Sequence, residues 1–154
     1  MTLHLIRHAS AGRRGGWADD DLERPLDDRG RAQAEAVAAH LAEAPLRGVL
    51  SSMAVRCVQT VAPLATASGF DVDVRRELTE GARASQVLEL LRAEAHLDGD
   101  LVLCSHGDLI PEALNRLLHE GTTVVGGRGC AKGSIWSLET RGRDIVRATY
   151  VAEP

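Results

Sequence analysis

The sequence predicts an α/β fold, a three-layer α/β/α sandwich with a mostly parallel central sheet. Short apolar runs alternate with longer helical patterns along most of the chain, as in folds built from strand–helix–strand units. The run from Leu101 to Cys104 is continuously apolar, which is typical of a central parallel strand covered on both faces. The length of 154 residues suits one domain, so we expect residues 1–154 to form a single domain.

The first half of the chain predicts three strands and two helices. Asp27 is the candidate N-cap of the first helix, which ends before Pro45. The second helix has Gly69 as its stop signal, and Pro63 inside it marks a place where the helix can kink or break. The predicted strands are 3–6, 49–51 and 70–74, the helices are 28–41 and 55–67, and a polar, glycine-rich loop covers 10–23.

Towards its end the chain becomes richer in β-forming residues. The segment 121–133 holds five glycines and is predicted to be a loop. The runs 134–138 and 145–151 are separated by the turn-forming segment 140–143, so they predict a hairpin. Earlier in this half, helices are predicted at about 85–95 and 111–119.

Composition and charge exclude several classes of protein. The formal net charge of -4 and the pI near 5.8 argue against a nucleic-acid binder, which usually carries a basic patch. No apolar run has the length of a membrane span, and no basic segment followed by a long apolar stretch predicts a signal peptide. The three cysteines form no Cys-x-x-Cys pair, so we expect neither a zinc site nor a disulfide framework, and we expect a reducing cytoplasm.

Basic side chains follow three of the predicted strands, where each strand ends. Arg7 and His8 come directly after the first strand, and His106 follows the continuously apolar strand. Arg56 lies in the first turn or so of the helix that follows the strand 49–51. Because ligands bind beyond the carboxyl ends of parallel strands, we expect two imidazoles and two guanidiniums to meet at one edge of the sheet.

This cluster suits phosphoryl transfer. Two guanidinium forks favour a phosphate oxyanion, and a neutral imidazole at His8 can attack phosphorus. The neighbouring cations lower the proton affinity of His8, while a protonated His106 would donate to a phosphoryl oxygen. Arg7 and Arg56 would repel a cation, which disfavours a metal site on the two histidines. We therefore expect neither a metal nor an organic cofactor.

Three segments, in this order, resemble the three signatures of the histidine phosphatase superfamily. They are Leu5-Ile6-Arg7-His8-Ala9, then Leu50-Ser51-Ser52 with Arg56-Cys57-Val58-Gln59-Thr60, and finally Cys104-Ser105-His106-Gly107. The resemblance implies a phosphoglycerate mutase-like fold and a two-step reaction, in which a phosphohistidine forms on His8 and is then hydrolysed. It also implies that Arg7, Arg56 and His106 hold the phosphate.

The short chain is most similar in size to the compact branch of this superfamily, typified by the phosphohistidine phosphatase SixA. It also resembles the histidine phosphatase domain that actinobacterial oxidised-nucleotide hydrolases carry behind a Nudix domain, on Ile110-Pro111 and on Lys132-Gly133-Ser134 followed by Trp136. Many members of the superfamily read Arg-His-Gly where this chain has Ala9. The compact branch often carries alanine there, so we do not expect Ala9 to inactivate the enzyme.

The group that protonates the leaving oxygen is predicted less directly. Glu80 is the best candidate and Glu77 the second, and Glu80 is also the candidate base for the second step. The compact phosphohistidine branch often lacks this acid, so Glu80 favours an oxygen ester or a phosphoanhydride as substrate. Ser10 is either a phosphate contact or a turn residue. Arg24 either contacts the substrate or pairs with an aspartate within 19–21.

Three kinds of substrate fit this interpretation: a phosphohistidine protein, a nucleotide and a small phosphate ester. A phosphomutase is an alternative, although the chain lacks the long insertion that mutases of the family carry between the second and third signatures. A non-catalytic phosphate-binding domain is another, although it would be expected to have lost His8 or an arginine, and all are present. The sequence makes no prediction of the oligomeric state.

Overall fold

The computed structural model describes residues 1–154, which form seven strands and four α-helices. No helix is both long enough and apolar enough to span a membrane. The strands are β1 (Thr2–Arg7), β2 (Leu46–Ser51), β3 (Val72–Val74), β4 (Asp100–Ser105), β5 (Thr123–Val125), β6 (Ile135–Arg141) and β7 (Asp144–Val151), and the helices are α1 (Asp28–His40), α2 (Val55–Ser68), α3 (Ala84–Glu94) and α4 (Leu109–His119).

The seven strands form one sheet in the order β3-β2-β4-β1-β6-β7-β5. Four of the six strand pairs are parallel, and the two pairs that involve β6 are antiparallel. β1 lies beside β4 with Arg7 opposite Ser105, and β2 lies on the other side of β4 with Ser51 opposite Cys104. The carboxyl ends of these three parallel strands therefore meet at one edge of the sheet.

Alternate residues of the central strands point to opposite faces of the sheet. Leu3 and Leu5 belong to a core of 20 buried residues that includes side chains of α3 and α4. Ile6 belongs to a second core of 12 buried residues that includes side chains of α1 and α2. Helices thus cover both faces, and the predicted three-layer sandwich is confirmed.

Three local features differ from the expectations. The glycine-rich segment predicted as a loop contains β5, which pairs in parallel with β7. This strand depends on a partner that is distant in sequence, and local composition does not reveal such a partner. α2 continues through Pro63 instead of breaking there, because Val61 and Leu64 on either side of it are buried in the core. α4 begins at Leu109, slightly before the predicted start.

The loop after β1 is clamped against the start of α1. As predicted, Asp27 caps this helix, and its carboxylate accepts the backbone N–H of Gly30 at 2.8 Å. The same carboxylate accepts the Ser10 hydroxyl at 2.8 Å. A Cβ at Gly30 would lie 1.9 Å from the Ser10 carbonyl oxygen. The loop can therefore approach the helix this closely only because residue 30 is glycine. The chain beyond β1 is therefore fixed in position.

Candidate active site

The carboxyl ends of β1 and β4 bring His8 and His106 together. Hydrogen bonding continues past the end of β1, because the backbone N–H of His8 donates to the Ser105 carbonyl oxygen at 3.0 Å. The two imidazole rings meet edge to face, with their centroids 5.4 Å apart. Only 7% of His8 and 3% of His106 is exposed. The structure thus places the two predicted histidines in one buried site.

The imidazole of His8 is held in one tautomer and kept neutral. Its Nδ1 lies 2.8 Å from the Ala9 carbonyl oxygen, to which only a protonated Nδ1 can donate, so the lone pair is on Nε2. Burial lowers the pKa of His8 to about 3 against the opposing effect of the Ala9 hydrogen bond. The neighbouring imidazole and the two guanidiniums act in the same direction as burial. The ring is therefore neutral near physiological pH.

Arg7 is held against the turn that follows β4. Its Nη1 donates to the Cys130 carbonyl oxygen at 2.6 Å. A Cβ at Gly107 would lie 2.8 Å from Cζ of Arg7, so glycine is required there to leave room for the guanidinium. Nε of Arg7 is buried and has no partner in the protein. A buried donor without a partner is costly, and an oxyanion would satisfy it.

Two side chains contact Nε2 of His106. Ser52 Oγ lies 2.8 Å from this atom and Cys57 Sγ lies 3.5 Å from it. Ser52 follows β2, whereas Cys57 lies in the first turn of α2, so three elements meet at the ring. Because Nε2 is engaged, Nδ1 is the ring nitrogen of His106 that remains for a ligand.

Arg56 lies in the first turn of α2 and is only 1% exposed. Its Nη1 donates to the Asp21 carbonyl oxygen at 2.8 Å. Its Nη2 lies 3.2 Å from the Asp21 carboxylate and 3.0 Å from the Glu80 carboxylate, and its buried Nε has no partner. The guanidinium predicted to hold phosphate therefore contacts two carboxylates of the protein itself.

Of the two predicted acids, Glu80 lies in the site and Glu77 does not contact it. Arg14 donates to Oε1 of Glu80 at 2.8 Å, and Arg56 donates to Oε2. Burial raises the pKa of Glu80, but the hydrogen bond and charge of Arg14, with the charges of the other cations, outweigh burial and hold the pKa below its usual value. Glu77 faces Arg75, at 3.8 Å. Glu80 is therefore a carboxylate in this state.

The two predicted substrate contacts are engaged within the loop after β1. The Ser10 hydroxyl donates to Asp27. Nε of Arg24 donates to the Asp21 carboxylate at 3.0 Å, and Nη1 donates to the Ala11 carbonyl oxygen at 2.7 Å. Arg24 thus makes the aspartate pair that the sequence offered as one alternative. A contact of Ser10 or Arg24 with substrate stays a prediction.

Several residues that the sequence prediction did not single out also shape the site. Thr60 Oγ1 accepts the Ala9 backbone N–H at 2.9 Å and donates to the Arg56 carbonyl oxygen at 2.7 Å, so it joins the loop carrying His8 to α2. The others are Ser52, Gly107, Arg14 and Asp21. Ser52, Thr60 and Gly107 lie inside the signature segments, where the neighbours of the reactive residues could have been found, whereas Arg14 and Asp21 lie in a loop without a pattern.

Residues 3–82 match the family model of the histidine phosphatase superfamily (branch 1). This range includes the first two signature segments, and the structure places the third at the same edge of the sheet. The chain therefore belongs to the histidine phosphatase superfamily. The predicted family is confirmed.

The chain is similar to the 8-oxo-(d)GTP phosphatase of Mycolicibacterium smegmatis, with 35% identity over 156 aligned positions that cover 99% of this chain and 48% of the relative. It thus spans about half the length of that protein. A solved structure assigned to the phosphohistidine phosphatase SixA of Agrobacterium tumefaciens is 27% identical over 90% of each chain, with a TM-score of 0.69. A protein histidine phosphatase SixA solved with tungstate shares the fold, with 21% identity, a TM-score of 0.78 and coverage of 98% of this chain and 94% of that one.

Proposed function

We propose that this chain hydrolyses phosphate compounds through a phosphohistidine that forms on His8. The observation that carries the proposal is the state of this imidazole, which is neutral, donates from Nδ1 to a backbone carbonyl and keeps its Nε2 lone pair. We place the reaction in the cytoplasm, because Cys57 and Cys104 are free thiols, as is usual in a reducing compartment.

In the first step, Nε2 of His8 attacks phosphorus, and the bond between phosphorus and the leaving oxygen breaks. The buried Nε–H groups of Arg7 and Arg56, which have no partner in the protein, donate to phosphoryl oxygens. Nδ1 of His106 donates to a third oxygen. Donors that are already in place stabilise the transferring phosphoryl group without reorganising during the reaction.

The ionised state of Glu80 favours a leaving group that departs as an anion. When a phosphoryl group takes the place of the carboxylates at Arg56, Glu80 keeps its contact with Arg14 at 2.8 Å. A carboxylate cannot protonate an alkoxide, whereas a phosphate leaving group, with a second pKa of about 6, needs no proton at neutral pH. We therefore place phosphoanhydrides, as in nucleoside di- and triphosphates, ahead of alkyl phosphate esters.

Two further observations support a nucleotide as the substrate. The M. smegmatis relative is named an 8-oxo-(d)GTP phosphatase, and a nucleoside triphosphate contains phosphoanhydrides. A cleft of about 250 Å³ near the site is lined by Arg13, Trp17 and Arg24. Arg24 contacts Asp21, which in turn contacts Arg56, so two ion pairs link the wall of the cleft to a guanidinium of the site. The indole of Trp17 offers a surface on which a base can stack.

In the second step, water attacks the phosphorus of the phosphohistidine. The P–N bond breaks and returns its electron pair to Nε2 of His8, while a proton of the water passes to a base. Glu80 suits this role because it is a carboxylate that Arg14 holds at 2.8 Å, near the guanidinium that binds the phosphoryl group. The products are inorganic phosphate and a neutral His8.

A phosphohistidine protein is the second candidate substrate. The similarity to the A. tumefaciens SixA supports it. The leaving-group argument also allows it, because an imidazole departs more readily than an alkoxide and does not require a protonated Glu80. The two candidates differ in what lies beyond the phosphoryl group, so a substrate panel separates them.

The test measures phosphate release across such a panel for wild type, His8→Ala and the control His96→Ala, whose ring is exposed. The panel contains nucleoside mono-, di- and triphosphates, with and without 8-oxoguanine, a sugar phosphate, an aryl phosphate and a phosphohistidine protein. We expect wild type and His96→Ala to release phosphate from the di- and triphosphates, and His8→Ala to be slower by about 10⁴-fold or more. Mass spectrometry of quenched reactions should find the phosphoryl group on His8.

Each other outcome points to a different conclusion. Turnover that survives His8→Ala would contradict the mechanism, and a preference for monophosphates would overturn the leaving-group argument. A positional isomer in place of free phosphate would identify a mutase. A phosphate-dependent rise in Tm without turnover would identify a binding domain. Trp17→Ala should raise KM for nucleotides and leave KM for the aryl phosphate unchanged.

A further inference from the structure

The buried hydroxyl of Ser52 has one strong acceptor for its proton. Ser52 is fully buried, with 0% of its surface exposed. Its Oγ accepts the backbone N–H of Ala54 at 3.3 Å and lies 2.8 Å from Nε2 of His106. The other side chain within its reach is the thiol of Cys57, and sulfur is a weak acceptor. A buried hydroxyl that donates to nothing is costly. The proton of Ser52 is therefore directed to Nε2 of His106.

The thiol of Cys57 does not compete strongly for the same atom. Its Sγ lies 3.5 Å from Nε2 of His106 and 3.8 Å from the Ser105 carbonyl oxygen, and a thiol is a weaker donor than a hydroxyl. A neutral imidazole that accepts at Nε2 carries its proton on Nδ1. The two nitrogens lie at different edges of the ring, so Nδ1–H points away from Ser52.

We propose that Ser52 is a positioning residue that fixes the tautomer of His106, so that a neutral His106 offers Nδ1–H to a phosphoryl oxygen. The inference rests on the proposed function, because this donor serves catalysis only if His8 transfers phosphoryl groups. It differs from the expectation that a protonated His106 donates to the phosphoryl oxygen. The donor function then depends on a buried hydrogen bond instead of on an added proton.

The tautomer is measured in the unliganded wild-type protein, labelled with ¹⁵N-histidine, by the chemical shifts of the two ring nitrogens near pH 8, above the ordinary pKa of histidine of about 6.5. Loss of one set of signals in His106→Asn assigns the ring. We expect Nδ1 of His106 to carry the proton and Nε2 to be bare, and inorganic phosphate to shift the Nδ1 signal. A proton on Nε2 would overturn the proposal, whether or not the protein turns over any substrate.

Paired serine variants test the consequence for catalysis. Ser52→Ala should give a mixture of His106 tautomers and lower kcat by about ten- to a hundredfold, with KM changed by less than about threefold. The matched control is Ser51→Ala, since Ser51 is equally buried and donates to the Ser52 carbonyl oxygen at 2.8 Å without touching His106. The control should keep the wild-type tautomer and kcat.

A Ser52→Ala protein with the wild-type tautomer and the wild-type kcat would overturn the proposal. Loss of kcat with an unchanged tautomer would also overturn it, because Ser52 would then act through packing. If Ser52→Ala does not fold, the wild-type spectrum still decides the question. Failure of the proposed function shows itself separately, as absence of phosphate release by the wild-type protein.

Discussion

Two parts of the active site are built in different ways. The floor consists of His8, His106, Ser52 and Thr60, and the rim consists of Arg14, Asp21 and Glu80. The floor is buried where parallel strands end and is joined by hydrogen bonds to the backbone and to hydroxyls. The rim lies on the segments between the main helices and strands. Ion pairs join its partly exposed side chains to one another and to the buried Arg56. The floor thus sets the geometry of the site, and the rim sets the charge around it.

The two parts also differ in the energy of their contacts. Exposed ion pairs contribute only about 0–1 kcal/mol each, so the rim can exchange partners at little cost. Arg56 is different, because a buried guanidinium that loses its anionic partner is strongly destabilised. The rim carboxylates satisfy Arg56 in this structure, and under the proposed mechanism a phosphoryl group replaces them. Changes at Arg56 and in the floor should therefore affect catalysis far more than changes in the rim.

Among the variants that compare floor with rim, the largest loss of kcat/KM is expected at Arg56, where floor and rim meet. Arg56→Lys keeps the positive charge but loses the fork that holds two phosphoryl oxygens, so kcat/KM should fall by about 10³-fold. The matched control is Arg116→Lys, on α4, where Arg116 is half exposed and pairs with Glu112. Steady-state kinetics gives kcat/KM of both variants relative to wild type. Activity within about tenfold of wild type would show that charge alone is sufficient.

A smaller effect is expected from a methyl group placed beside Arg7. In Gly107→Ala, the new Cβ would lie 2.8–2.9 Å from three atoms of the Arg7 guanidinium, so Arg7 must move from its contact with Cys130. We expect kcat/KM to fall by about 10²-fold, because small displacements of a positioning group are costly to catalysis. Gly127→Ala, with no atom within 4 Å of its Cβ, is the control. An unchanged kcat/KM would mean that the position of Arg7 is not critical.

Burial of a neutral His8 predicts a pH-dependent loss of stability. The pKa of His8 is about 3 in the folded chain, against an ordinary value of 6.5. Between these values the unfolded chain binds a proton that the folded chain does not, so the free energy of unfolding falls as the pH falls through this range. Between pH 7 and pH 5, the free energy of unfolding should fall by about 2 kcal/mol because of His8.

Denaturant unfolding of wild type and His8→Ala, near pH 7 and near pH 5, checks this prediction. Lowering the pH should reduce the free energy of unfolding of wild type more than that of His8→Ala. Burial also lowers the pKa of His4, but His4 is present in both proteins and its effect cancels. A difference that is the same at both pH values would contradict the burial of a neutral His8.

The two histidines of the floor could be predicted from the sequence, whereas in the rim only Glu80 could. Arg7 and His8 follow a strand directly, so the parallel sheet alone determines which edge they reach. Asp21 and Arg56, by contrast, are 35 residues apart along the chain and meet through a loop without periodicity. Side-chain direction in such a loop depends on tertiary contacts. For the same reason the sequence could not decide between the two roles offered for Arg24.

The smallest effect is expected in the rim, at Arg14, whose side chain is 63% exposed. Because exposed ion pairs contribute little, Arg14→Ala should leave Tm almost unchanged and alter kcat for a nucleoside diphosphate by less than about fivefold. Arg14 is the main cation that lowers the pKa of Glu80, so its removal should raise that pKa. A larger protonated fraction of Glu80 should then favour monophosphate esters, whose leaving oxygen needs a proton.

The ratio of kcat/KM for a nucleoside monophosphate to that for the diphosphate, measured across pH, tests this shift. We expect the ratio to rise in Arg14→Ala relative to wild type, while Arg143→Ala, an exposed arginine in the turn between β6 and β7, keeps the wild-type ratio. An unchanged ratio in Arg14→Ala would mean that the charge of Glu80 does not select the leaving group. The rim carboxylates would then serve only as partners of Arg56 in the absence of phosphate, and the choice of substrate would depend on the cleft lined by Trp17.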